Sequence, residues 1–141
     1  MFPENVQNYI NQNRVGVLAL EMLDGTPHGA TLHFAYDKET DIFFFKTSSG
    51  YKKSEVLLGK EKTRASLVIG FDEVEMKTLQ MDGEARILKD EEKDLFDKVY
   101  FGKFSDKSHS DSEVLFAFIP KWWRFTDWKT LEGKKIIGSD Y

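Results

Sequence analysis

The chain has 141 residues, of which 40% are hydrophobic and 31% charged, and a formal net charge of −4. Those values fit one globular domain over residues 1–141 and exclude disordered or fibrous chains, while the acidic balance argues against a general nucleic-acid binder. The absence of cysteine removes disulfide scaffolds, thiolate metal sites and cysteine nucleophiles. No apolar run approaches the ~20 residues that a membrane helix needs. The opening Met1-Phe2-Pro3-Glu4-Asn5 lacks a basic-then-apolar leader, so a cytoplasmic protein without a signal peptide is expected.

In chain order, Phe2, Val6, Tyr9 and Ile10 recur at helical spacing, with Pro3 suited to a first turn and Asn11–Asn13 closing the helix. Val15 to Met22 reads as a strand that is apolar on both faces. Asp24-Gly25-Thr26-Pro27 is a hairpin turn. His28 to Tyr36 reads as one strand, with Ala30, Leu32, Phe34 and Tyr36 toward the core and Gly29, Thr31, His33 and Ala35 on the other face. Ile42–Phe45 is a third strand, buried on both sides. A helix from near Gly50 or Tyr51 turns Val56, Leu57 and Leu58 inward. Arg64 to Phe71 is the fourth strand.

Met76 to Leu88 is the long fifth strand. Leu79, Met81, Ala85 and Ile87 share one face, Thr78, Gln80, Asp82, Glu84 and Arg86 the other, and Gly83 marks a bulge. Asp90 is positioned to N-cap a helix carrying Leu95, Phe96 and Val99. A polar loop over 102–111 precedes the sixth strand, Val114 to Ile119, which runs into Pro120 and Trp122-Trp123-Arg124-Phe125. The tail from Lys129 to Tyr141 is polar apart from Ile136 and Ile137. The sum is a mainly β fold, a small antiparallel barrel of six strands with three short helices. Strands that are apolar on both faces need an outer cover, from a helix or a second subunit.

The segment Lys46-Thr47-Ser48-Ser49-Gly50-Tyr51-Lys52-Lys53 leaves a buried strand and enters a helix. A helix N-terminus offers unpaired N–H groups and a partial positive charge, and so suits phosphate. Two lysines in that first turn are unfavourable unless an anion sits between them. A serine-capped helix with solvated lysines is the competing reading. No Gly-x-x-x-x-Gly-Lys-Ser/Thr loop occurs.

Taken together, the order of elements and several strings resemble the pyridoxamine 5′-phosphate oxidase-like family of FMN-binding split barrels, most closely its bacterial general stress protein branch. The matching strings are Val15–Leu20, Pro27–Phe34, Phe44–Thr47 followed by Lys52-Lys53, Arg64–Val68, Leu79–Ala85, the pair Tyr100-Phe101 and Phe116–Asp127, covering about residues 2–128. The resemblance implies a homodimer with FMN in a groove between subunits. It places the phosphate on Lys52 and Lys53, with Thr47 and Ser48 near the ribityl chain or ring edge. Thr31 and His33 come from the strand facing that region. Thr78 or Gln80 faces the cofactor, and Trp122 or Trp123 contacts the isoalloxazine ring from the partner chain. It also implies a flavin-dependent oxidoreductase with a reduced nicotinamide as electron donor.

The sequence departs from the family in having Lys rather than Arg at the first basic position, which loses bidentate phosphate geometry. The second-strand Arg of the true oxidase is replaced at best by His33, and its C-terminal Arg-x-His is absent, so vitamin B6 oxidase activity is not expected. The alternative is a non-catalytic barrel that carries flavin, haem or an apolar ligand. His28 and His33 have an odd separation, which puts them on opposite strand faces, and His109 lies in a polar loop; no metal site is expected.

Overall fold

The structure is a computed structural model, and it describes residues 1–70 and 72–139. Helix α1 (Glu4–Gln12) leads into β1 (Val15–Glu21), β2 (Pro27–His33), β3 (Ala35–Asp37) and β4 (Ile42–Ser48). Then come α2 (Lys52–Gly59), β5 (Thr63–Ile69), β6 (Lys77–Ile87), a 3-10 turn at Asp90–Glu92, α3 (Lys93–Lys103), β7 (Glu113–Thr130) and β8 (Gly133–Gly138). The strands form one antiparallel sheet of eight, in the order β2-β1-β5-β6-β7-β4-β3, with β8 on β7.

The mainly β barrel with short helices is therefore present, with eight strands rather than six among the described residues. Two local differences add strands, and a third lengthens one. The expected strand over 28–36 is interrupted at Phe34, whose N–H donates to the Arg14 carbonyl, 3.2 Å away. The sixth strand does not stop at Ile119 but continues to Thr130. The tail, although polar, pairs as β8 because Ile137 packs on the core beside Phe125. The predicted end of the fourth strand, Phe71, and the last two residues of the tail lie outside the described residues.

The barrel interior is filled by large side chains. Phe34, Phe43, Phe45, Phe116 and Phe118 are fully buried in one cluster with Leu18, Leu67 and Met81. Helix α1 adds Val6, Tyr9 and Ile10 to that cluster, and the Tyr9 hydroxyl donates to the Lys77 carbonyl at 2.9 Å. Burial pushes the Tyr9 phenol up to about 12, which keeps it a donor. From α2, Val56 and Leu57 enter the core, whereas Leu58, expected inside, is exposed. The buried stripe of this eight-residue helix is Lys53, Ser54, Val56 and Leu57, which leaves Leu58 facing out.

Helix α3 covers the outer side of β3, β4 and β7. Phe44, Ala117, Ala35 and Leu88 meet Phe96, Tyr100 and Phe104 in a second apolar cluster. The expected cap, Asp90, does not cap α3; it lies in the 3-10 turn and ion-pairs with Lys93 at 3.2 Å. Glu92 takes the terminal role, accepting the Lys89 N–H at 2.8 Å and pairing with Arg86 at 2.7 Å.

The bulge at Gly83 governs the second half of β7. Gly83 pairs with Pro120 and Asp82 pairs with Trp122, so Lys121 is the extra residue. A Cβ on Gly83 would lie 2.0 Å from the Ile119 carbonyl oxygen, so only glycine allows the two backbones to approach this closely.

Candidate functional site

The β4–α2 corner holds four of the candidate residues. Along β4, Thr47 shares the inward face with Phe43 and Phe45, while Lys46 and Ser48 face outward. Lys46 is used structurally, ion-paired with Glu113 at 3.2 Å. Thr47 is buried, and its Oγ1 has no hydrogen-bond partner among the described residues. A buried hydroxyl without a partner costs about 1–3 kcal/mol.

Helix α2 begins without a side-chain cap. The serines ahead of it do not cap it; instead, Ser54 Oγ donates back to the Ser48 carbonyl at 2.7 Å. Lys52 is exposed. Lys53 is only 6% exposed, with Nζ 4.6 Å over the Tyr51 ring and no carboxylate partner among the described residues. Burial lowers the Lys53 pKa. A buried, unpaired cation at the positive end of a helix is doubly disfavoured. The serine-capped helix with solvated lysines is not what the corner contains.

A second group lies on the open face of the sheet. The register aligns Thr31 with Val17, Val17 with Val68, Val68 with Gln80 and Gln80 with Arg124. Thr31 and Gln80 are both exposed and three strand spacings apart, about 14 Å. Trp122 sits on the same face beside Asp82, with the Arg124 guanidinium 5.4 Å from its ring. Val15 and Val17, 43% and 46% exposed, make this face partly apolar.

Two other candidates point inward. Trp123 is buried, its ring 5.2 Å from that of Phe2. Thr78 is buried too, and its Oγ1 donates to the Ile69 carbonyl at 3.3 Å. Within the two expected pairs, Gln80 and Trp122 are thus the members accessible from outside. His33 lies at the end of β2 on the same face as Thr31, opposite the exposed Val15, with its ring 5.2 Å from that of Phe104. Thr47 pairs opposite Val114 and Gln80 opposite Arg124, about 30 Å apart along β7. One chain therefore carries the lysine corner and the open sheet face as separate surfaces.

Sequence reading passed over two features. A groove of about 580 Å³ lies between α2 and α3, lined by Leu58, Leu88, Leu115, His109 and Glu113 among others. His109 bridges two carboxylates, Nε2 lying 2.7 Å from Asp97 and Nδ1 2.5 Å from Glu113. Burial works against the charged ring, but the hydrogen bonds to Asp97 and Glu113 outweigh it and raise the His109 pKa. Among the described residues, no group of three His, Asp or Glu side chains is arranged to hold a metal. Likewise among the described residues, no helix is long and apolar enough to cross a membrane.

Comparison with known proteins places this geometry. A family model described as pyridoxamine 5′-phosphate oxidase matches residues 2–127. No curated protein matches the chain. Among solved structures, a pyridoxamine 5′-phosphate oxidase-related, FMN-binding protein of Nostoc punctiforme is similar over 100% of this chain and 98% of its own, with a TM-score of 0.65 at 14% identity. A protein of Clostridium acetobutylicum related to general stress protein 26 covers 94% of this chain and 91% of its own, with a TM-score of 0.62 at 14% identity. A FAD-binding protein of Mesorhizobium loti covers 89% and 94%, with a TM-score of 0.63 at 20% identity.

Proposed function

Because the chain belongs to the pyridoxamine 5′-phosphate oxidase family, we propose that it is a cytoplasmic FMN-binding homodimer and a flavin-dependent oxidoreductase. The observation that carries this reading is the β4–α2 corner: an uncapped helix start and, among the described residues, a buried Lys53 without a counter-ion and a Thr47 hydroxyl without a partner. A phosphate at the helix start would neutralise the lysines and accept hydrogen bonds from the free helix N–H groups. The residues present fit the phosphate end of a flavin. Lys52 and Lys53 would hold that phosphate, with Thr47 and Ser48 beside it.

Thr31, Gln80 and Trp122 would meet the ring from the open sheet face. That face and the lysine corner are distant along one chain, so the proposal has the second copy bring them together. The exposed Val15 and Val17 give the second copy an apolar patch to cover. When bound, the flavin supplies two-electron chemistry, with a reduced nicotinamide as donor. The chain's own part is to anchor, orient and shield the cofactor; none of the candidate residues is placed as an acid or base. The fully buried phenylalanines inside the barrel fill the space that an apolar-ligand carrier would need, which weighs against that alternative.

The test is to add FMN to purified protein, remove the excess by gel filtration and record the visible spectrum. A retained, perturbed flavin spectrum at dimer elution is expected, bleaching with NADH or NADPH. The variant K52A/K53A should fold and elute without flavin. Folded wild-type protein that retains no flavin would overturn the reading.

A further inference from the structure

At the His33 end of the open sheet face, positive charge gathers around Phe104. Arg14 precedes β1, His33 ends β2, and Lys103 and Lys107 flank the end of α3. The Arg14 guanidinium lies 4.8 Å from the Phe104 ring centroid, Lys103 Nζ 5.5 Å and Lys107 Nζ 5.9 Å. With His33 at 5.2 Å, four basic groups from three separate segments surround one ring. Lys103 is half-buried, with Nζ 4.0 Å over Phe34 and donating to the Asn13 carbonyl at 2.5 Å.

Among the described residues, none of the four makes an ion pair with a carboxylate, and Asp106 is the single acidic group within electrostatic reach of His33. Burial and the Arg14 charge push Lys103 down to about 8. Burial, followed by Lys107, Arg14 and Lys103, with Asp106 opposing, lowers the His33 pKa. The negative end of α3 offsets some of this repulsion. It does not supply a counter-charge for the side of the cluster that faces solvent, where Arg14 is exposed and Lys107 partly so.

We infer that Arg14, His33, Lys103 and Lys107 form an oxyanion site that takes the phosphate group of a second ligand, separate from the lysine corner at β4–α2. Three cations and an imidazole gathered around one ring from three segments suit a dianion better than a single carboxylate. Lys52 and Lys53 take no part in this site, so its failure and the failure of the flavin-phosphate reading are distinguishable.

The ring protons of His33, assigned with H33Q, report the site by NMR. Wild-type protein is titrated with pH in NaCl, in inorganic phosphate and in succinate, all at one ionic strength. Phosphate is expected to shift the His33 midpoint upward relative to NaCl, because a bound dianion favours imidazolium. R14Q/K107Q, which alters the two more accessible cations, should lose that shift, whereas K52Q/K53Q should keep it. An equal midpoint in NaCl and phosphate, or an undiminished phosphate shift in R14Q/K107Q, would overturn the site. A larger response to succinate than to phosphate would overturn the phosphate assignment, and loss of the shift in K52Q/K53Q would overturn its separateness.

Discussion

The outer surface of the barrel is finished in two different ways. On β3, β4 and the first half of β7, α3 lays Phe96, Tyr100 and Phe104 over Phe44 and Ala117, and all five are buried. On β1, β2, β5, β6 and the second half of β7, no helix among the described residues covers this outer face, and Val15, Val17, Thr31 and Gln80 stay exposed. The first face is an intramolecular core, whose burial stabilises the monomer. The second has the composition of a contact surface, apolar at its centre and polar around it. Substitutions on the two faces should therefore fail in different assays.

The largest effect belongs to the covered face. Phe96→Ala leaves a cavity beside Phe44 and Tyr100 and should cost about 3–5 kcal/mol in urea unfolding. Val17→Lys on the open face should leave monomer stability within about 0.5 kcal/mol yet shift gel-filtration elution from dimer to monomer. If F96A is mild, or V17K destabilises as strongly, the contrast between the faces is wrong. At the corner, Thr47→Val removes the orphaned hydroxyl at nearly constant volume. It should raise apo-protein stability by about 1 kcal/mol while weakening FMN retention, two readouts that move in opposite directions.

The smallest effects are pH-linked and come from the two histidines. The folded-state pKa of His109 is raised by its carboxylates, so its contribution is fully present below the unfolded imidazole value, about 6.5. It is lost as pH rises through the folded value. His33 has a lowered folded-state pKa, so its contribution is present above about 6.5 and is lost as pH falls through the folded value. Both rings are partly solvent-exposed, so the slopes should be shallow. In stability measurements from pH 5 to 8, H109Q should remove the decline toward high pH, and H33Q the decline toward low pH. Slopes of the same sign would break the contrast between the acidic and basic surroundings of the two rings.

Much of this molecule was legible in the sequence because its local signals agree. The alternation in Lys77–Ile87 gave both faces of β6, and Gly83 gave the bulge. Phe2, Val6, Tyr9 and Ile10 gave α1. The lysine corner could be found because Lys52 and Lys53 follow a buried strand at a helix start. Two things were hidden. β8 carries little apolar signal beyond Ile136 and Ile137, and forms because β7 presents a long edge to it and Ile137 packs on the core. The basic cluster joins residues 14, 33, 103 and 107, which no local window contains.

The tryptophan pair shows where sequence ends and tertiary structure begins. Adjacent strand residues must face opposite sides, so the sequence alone determined that Trp122 and Trp123 part company. Continuing the inward parity of Phe116 and Phe118 would have turned Trp122 into the core. The extra residue Lys121, opposite the bulge at Gly83, reverses that parity, so Trp123 and Phe125 point inward and Trp122 joins the open face. A period of two is a property of the chain, but its phase is set by pairing with β6, and only the assembled sheet supplies that.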